Sequence, residues 1–178
     1  MRYGLRVGGN GGRNVNFVNG EKSINNYTNL DFNLNMGYDF PDKYGFEFGP
    51  RIGHNSSKSS LRSSINNNYF IYGGRFEGSV TFPGKIEFNT DINFDMRQRI
   101  AAYSTNTNII TWNAGIDKKL FKDKSGKIGF YANDILNQNK GYTRTINSNF
   151  VSDESYLKIS RYFLLKLEWT FNKMPGAK

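Results

Sequence analysis

The chain has 178 residues, a length that suits one domain, and the absence of cysteine excludes a disulfide framework, a thiolate nucleophile and a cysteine zinc site. Only 37% of the residues are apolar, and no run approaches the ~20 apolar residues of a membrane helix; yet 15 Phe, 11 Tyr and 2 Trp stand among 19 Gly, which is too aromatic for a disordered chain. The formal charge of +9 does not read as a nucleic-acid surface, because the lysines fall in expected turns (Lys118, Lys119, Lys122, Lys124, Lys127) and loops (Lys58, Lys140, Lys158) rather than along one stripe interleaved with exposed aromatics.

In chain order, Met1-Arg2-Tyr3 leads straight into an alternating segment. With no signal peptide ahead of it, the sequence reads as a mature form, an expression form or a fragment. Tyr3, Leu5 and Val7 alternate with Arg6 and Gly8. Leu30, Phe32, Leu34, Met36, Tyr38 and Phe40 then alternate with Asn29, Asp31, Asn33, Asn35, Gly37 and Asp39. Phe46, Phe48, Pro50 and Ile52 oppose Glu47, Gly49, Arg51 and Gly53. Tyr72, Phe76, Val80 and Phe82 oppose Gly73, Arg75, Ser79 and Thr81. The clearest segment puts Ile86, Phe88, Thr90, Ile92, Phe94 and Met96 against Glu87, Asn89, Asp91, Asn93, Asp95 and Arg97. A helix would scatter these charges around its surface, whereas a strand sends them all to one side. Ile110, Trp112, Ala114 and Ile116 oppose Thr111, Asn113, Gly115 and Asp117; Ile128, Phe130 and Ala132 oppose Gly129, Tyr131 and Asn133. Phe163, Leu165, Leu167, Trp169 and Phe171 close the series against Leu164, Lys166, Glu168 and Thr170. The count is about eight strands.

Short turns are expected at Pro41-Asp42-Lys43, Pro83-Gly84-Lys85 and Lys122-Asp123-Lys124-Ser125-Gly126. Long polar loops are expected from Gly9 to Asn26, His54 to Asn68, Gln98 to Asn108 and Gln138 to Ser160. This alternation of short and long connections, with aromatics (Tyr38, Phe40, Tyr44, Phe82, Phe121, Trp169, Phe171) beside the short turns, fits an antiparallel up-and-down transmembrane β-barrel with periplasmic turns and extracellular loops. A soluble sandwich or ligand-binding barrel remains the alternative; it would pack the apolar rows inside. In the membrane reading, Leu30, Phe32, Leu34, Phe46, Phe48, Phe76, Phe88, Ile92, Phe94, Trp112, Phe130, Phe163, Leu165, Leu167, Trp169 and Phe171 face lipid. Asp31, Glu47, Arg51, Arg75, Glu77, Glu87, Asp91, Asp95, Arg97, Asp117, Lys166 and Glu168 form a paired charge network inside, with inward glycines making room for it. The barrel occupies residues 1–172 and a tail 173–178.

The last third resembles a known family. Asn133-Asp134-Ile135-Leu136-Asn137-Gln138-Asn139, a long polar loop, and Ser160-Arg161-Tyr162-Phe163-Leu164-Leu165-Lys166-Leu167 look like the C-terminal end of TonB-dependent-receptor-type barrels, in particular the Bacteroidota outer-membrane β-barrel family. The segment from Trp112 to Lys124 is similar to that family as well. The resemblance implies a Gram-negative outer membrane, assembly by the barrel-insertion machinery, and descent from an uptake receptor. It carries over no ligand contact, and no plug or energy-coupling segment is present in these residues.

Catalytic and metal chemistry find little support. His54 is the one histidine, followed by Asn55, Ser56 and Ser57, and adjacency in sequence does not place a base on a nucleophile. Asp91, Asn93 and Asp95 could offer oxygens to calcium, but along an extended strand they suit arginine better. Gly8-Gly9-Asn10-Gly11-Gly12 lacks the Lys-Ser/Thr of a phosphate loop. No enzyme activity and no cofactor is therefore expected. The basic residues Arg13, Lys22, Lys58, Arg62, Lys140, Arg144 and Lys158 are candidates for pairing with lipopolysaccharide phosphates at the outer rim.

Overall fold

Period-two alternation sends successive side chains to opposite faces, and in the computed structural model, which describes residues 1–61, 67–99, 108–121, 125–146 and 151–171, every alternating segment is a strand. The strands are β1 (Arg2–Val18), β2 (Glu21–Phe40), β3 (Tyr44–Ser59), β4 (Asn67–Phe82), β5 (Ile86–Arg97), β6 (Ile109–Leu120), β7 (Gly126–Asn133), β8 (Gly141–Ile146), β9 (Val151–Tyr156) and β10 (Tyr162–Trp169). Eight of them make one antiparallel sheet in the order β1-β2-β3-β4-β5-β6-β7-β10, and β8 pairs only with β9. The fold is thus all-β and up-and-down. Among the described residues no ladder joins β1 to β10, so these two strands are the edges of the sheet.

Four sequence expectations need correction. The stretch from Gly9 to Asn26 is not a loop. Gly9 pairs with Leu30, and the ladder runs on to Val18 and Glu21. It closes through Asn19 and Gly20, whose φ angles of 50° and 85° are those of a two-residue type I′ turn. Asn, Gly and Ser on both faces thin the hydrophobic alternation there to Val15 and Phe17 on β1 and Ile24 on β2, although Asn-Gly is itself a hairpin signal. Likewise, β3 continues to Ser59, β4 begins at Asn67, and the β8–β9 hairpin lies within the stretch from Gln138 to Ser160. The lysines assigned to a turn, Lys118, Lys119 and Lys127, are strand residues. Lys122 to Lys124, most of the stretch from Gln98 to Asn108, and the tail 173–178 lie outside the described residues.

The register also sets how the strands lean. Phe40 pairs with Tyr44 at the first short turn, and Tyr44 pairs across with Val80, two residues short of Phe82, which closes the next turn with Ile86. Ile86 in turn pairs with Lys118, two residues short of Leu120, which closes the third turn with Gly126. The turns therefore descend by one residue per strand. With the three turns at one level, a rise of ~3.3 Å per residue and a strand spacing of ~4.8 Å give a tilt of about 35°.

Replacing Gly20 by Val forces a β-branched residue into positive φ and should cost the β1–β2 hairpin about 1–2 kcal/mol. Amide exchange should quicken over residues 13–26 and stay unchanged in the rows below Leu30.

Candidate functional site

The registers carry one parity unbroken across the sheet. Gly37, Glu47, Glu77, Asp91 and Asn113 form one continuous row, as do Asp39, Gly45, Ser79, Asn89, Gly115, Tyr131 and Leu164. Between these rows the opposite face carries Met36, Phe48, Phe76, Ile92 and Trp112. All sixteen residues expected to face lipid lie on this apolar face, Phe171 just past β10 and stacked on Trp169 with ring centroids 5.9 Å apart. All twelve of the expected charge network lie on the other.

The apolar face is bordered by rings at the short-turn end. Tyr44 contacts Phe40 at 5.8 Å and Tyr38 at 5.9 Å, and Phe121 contacts Trp169 at 5.0 Å. Lys43 caps the Phe40 ring at 4.8 Å, and Lys85 Nζ donates to the Phe121 carbonyl at 2.9 Å. Two polar side chains on this face are joined locally, Trp112 Nε1 donating to Thr90 Oγ1 at 2.9 Å and that hydroxyl to the Asn113 carbonyl at 3.2 Å, while Lys118 shares the face at its short-turn end. His54 is also on this face, its ring 4.8 Å from Phe70 and its Nε2 2.6 Å from Asn68 Oδ1. Asn55 and Ser57 point the other way, so no hydroxyl–imidazole pair forms with Ser57.

The polar face is concave. A hollow of about 450 Å³ is lined from six strands, by Asp39, Glu47, Glu77, Asp91, Asn113 and Tyr131 among others. Arg2 reaches across Gly37 to Asp39 at 2.7 Å and Glu47 at 2.9 Å. Arg75 bridges Glu77 and Asp91, the latter at 3.1 Å, and Asn93 and Asn113 each donate to Asp91 Oδ1 at 2.9 Å. Arg51 stretches over Gly73, where a Cβ would strike its side chain, to Asp95 at 3.5 Å. Toward the short turns, Lys119 pairs with Glu87 at 3.5 Å and Lys166 with Glu168 at 2.8 Å. Asp31 receives the Asn33 amide at 3.1 Å, and Arg97 lies over the Tyr69 ring at 4.8 Å; neither joins an ion pair among the described residues. Asp91 and Asp95 thus engage arginines, and no cluster of three metal-type ligands occurs among the described residues. Pairs this exposed contribute about 0–1 kcal/mol each.

Two carboxylates differ from the rest. Asp117 is 2% exposed and accepts from Tyr131 Oη at 2.5 Å, Lys127 Nζ at 3.2 Å and Asn89 Nδ2 at 3.4 Å. The Tyr131 ring can lie flat because Gly115 and Gly129 carry no Cβ beneath it. Asp134, 3% exposed, ends β7 with φ of 49°. Its oxygens accept the backbone N–H groups of Gln138 and Asn139, both at 3.0 Å, and its own N–H donates to Asn113 Oδ1 at 2.9 Å. Ile135 N donates to the Trp112 carbonyl at 2.8 Å and Arg161 Nη1 to the Ile135 carbonyl at 3.4 Å. Asp134 to Asn137 is therefore a folded turn that ties β7 to β6 and to the start of β10.

Arg2, Asn89, Asn113, Tyr131 and Asp134 were not among the expected network residues. Parity alone would have placed Arg2 and Asn113 in it. Tyr131 was concealed by its ring, and Asp134 by its position outside the alternation. A model of the outer membrane protein beta-barrel family matches residues 13–169. No curated protein and no solved structure matches the chain.

Replacing Tyr131 by Phe removes a hydrogen bond to a buried carboxylate and should lower stability by about 1.5–3 kcal/mol, read from the denaturant midpoint in detergent. Asp134→Ala strands two backbone donors and should cost at least ~1–3 kcal/mol. Its amide-exchange signature would lie at residues 134–139 and 110–113, with the short-turn end unaffected.

Proposed function

The chain belongs to the outer membrane protein beta-barrel family, and from that premise we propose that its apolar face meets lipid and its polar face lines the interior of a barrel in a Gram-negative outer membrane. The observation that carries this reading is the similar height of the apolar rows on neighbouring strands. On β2 they run from Leu30 to Phe40, on β3 from Tyr44 to Ile52 with His54 at the border, on β4 from Phe70 to Phe82 and on β5 from Ile86 to Met96; on β6 the row from Ile110 to Leu120 carries Lys118 near its short-turn end. They span roughly 26–40 Å along the strand, or about 22–32 Å along the membrane normal at a 35° tilt, a range that brackets the ~25 Å band of outer-membrane barrels. Above Leu30, His54 and Phe70 the same face turns polar, beginning with Thr28, Ser56 and Asn68.

A soluble barrel would need these rows covered. Leu165 and Leu167 are 71% and 70% exposed, and among the described residues only the small β8–β9 pair lies outside the main sheet. An apolar surface of this extent is foreign to a soluble monomer. The proposal includes no catalytic step and no cofactor: His54 belongs to the apolar face, and the acids of the polar face are held by cations and amides.

We further read the chain as akin to the C-terminal strands of a TonB-dependent receptor, with nutrient uptake a property only of a larger receptor containing it. Besides the sequence likeness, the free edges of β1 and β10 support this, since in hydrocarbon an unpaired edge is too costly to persist and additional strands would cover both. Direct pairing of β1 with β10 would make instead a stand-alone barrel with a structural or surface-interaction role. Cysteines at Leu5 and Leu165 distinguish the two: an intramolecular disulfide in the membrane means self-closure, and its absence favours additional strands.

Both tryptophans test the lipid-facing assignment. Trp112 lies near the long-loop border of the band and Trp169 at the short-turn border, so in bilayers both should be quenched more by bromines high on the acyl chain than by bromines near its end. Lack of quenching in a monodisperse, detergent-free protein would refute the membrane reading. Phe76, at mid-band, should cost about 2–4 kcal/mol of folding stability when replaced by Arg.

A further inference from the structure

The structure separates the candidate rim cations into two groups. Arg13, Asn26 and Lys58 form one row across β1, β2 and β3, all on the apolar-face side of the sheet. Lys22 follows higher on the same side of β2. Lys140 and Lys158 lie in connections around the β8–β9 hairpin and do not belong to the row, and the Arg144 side chain and Arg62 lie outside the described residues. From Lys58 to His54, which borders the apolar row of its strand, is four residues, roughly 13 Å along the strand or about 11 Å along the membrane normal.

We propose that Arg13, Asn26 and Lys58 bind the phosphate of an outer-leaflet glycolipid of the lipopolysaccharide type whose acyl chains lie on the apolar rows below. The inference rests on the lipid-facing assignment above. Four observations carry it. The cations occupy the outer side of the sheet, where only lipid or water can reach them. No carboxylate shares that side of β1 to β4 above the apolar band among the described residues, whereas the opposite side carries Glu21. Neither Arg13 nor Lys58 has an ion-pair partner among the described residues, unlike Arg2, Arg51 and Arg75 inside. Finally, Arg13 and Lys58 flank Asn26 one strand spacing to either side, so two like charges stand on one row about 10 Å apart at the backbone. An anion between them removes their mutual repulsion and accepts from both, the guanidinium offering its two-pronged donor geometry to phosphate oxygens. The Thr28, Ser56 and Asn68 row beneath supplies neutral polar groups at the level where headgroup meets chain. An interior cation could not serve, because the sheet stands between it and the leaflet.

The experiment uses the full chain in detergent micelles, titrated with lipid A, with enzymatically dephosphorylated lipid A, and with inorganic phosphate. Wild type should bind lipid A and lose affinity for the dephosphorylated form. The double variant Arg13→Glu, Lys58→Glu should bind lipid A about tenfold more weakly or worse. The charge-preserving pair Arg13→Lys, Lys58→Arg should retain most of the affinity. The pair Lys140→Glu, Lys158→Glu changes net charge equally and should leave binding intact. Equal losses from the two Glu pairs would reduce the effect to net charge and overturn the site, as would an unchanged Arg13/Lys58 variant. Displacement of lipid A by millimolar inorganic phosphate would assign the pocket to a free anion and overturn the lipid. Tryptophan quenching in the same wild-type protein keeps the two readings apart: if quenching persists while lipid A binding fails, only the phosphate site falls.

Discussion

A backbone N–H or C=O that leaves water for hydrocarbon without a partner costs several kcal/mol, so for a chain of this family strand pairing precedes every other property. Among the described residues the eight-stranded ladder supplies most of those partners; it is open along the outer margins of β1 and β10, interrupted between β2 and β3 beside Pro50, and replaced above Ala114 of β6 by bonds from Ile135 and Gln138. Everything else is arranged around that demand. Pro41 and Gly84 stand in tight turns, where the chain reverses without leaving a long unpaired stretch, and Trp112, which must present an indole N–H on the apolar side, returns it to Thr90 within the same face.

On the concave side the problem is different. Long charged side chains crowd a curved surface, and the sheet accommodates them by alternating them with glycine. Arg51 over Gly73, Arg2 over Gly37 and Tyr131 over Gly115 and Gly129 are one device used in three places. Because the ion pairs on this side remain largely open to water, each contributes little to stability and mainly fixes where the charges sit. Asp117 is the exception. Its burial makes it dependent on its phenol, ammonium and amide partners, and it sits close to the short turns, where β5, β6 and β7 meet.

The strands below the Leu30 row were legible in the sequence because one face is apolar there and the other is not, so hydrophobicity itself oscillates. Above that row Asn, Gly and Ser dominate both faces and only Val15, Phe17 and Ile24 keep one of them partly apolar; extended backbone persists, but the pattern that reveals it is thin. That is why residues 9–26 read as a loop while Asn19 and Gly20 alone announced the hairpin. The charge network was legible for the same reason as the strands: parity sorted Glu47, Glu77 and Asp91 onto one side before any distance was known. Parity could not show which acid would be buried. Glu87 and Asp117 share a face and directly oppose each other, yet only Asp117 lies beneath a neighbouring ring. Asp134 was beyond this kind of reading altogether, since it acts through a turn whose partners, at residues 113, 138 and 139, are brought together only by the folded chain.

Strand length falls from 20 residues in β2 to 8 in β7 and β10, so the rim opposite the short turns is oblique. On the proposed orientation the β1–β2 ribbon stands above the bilayer like a mast, while the β7 side is cut off near the headgroups by the Asp134 turn. Bulky visitors at the cell surface, such as phage fibres or antibodies, would meet the ribbon first. Its solvent-facing Asn, Gly and Ser pairs can drift in sequence without disturbing a single row in the membrane. Variation can thus concentrate at the tip, while the low side remains the gentler approach to the concave interior.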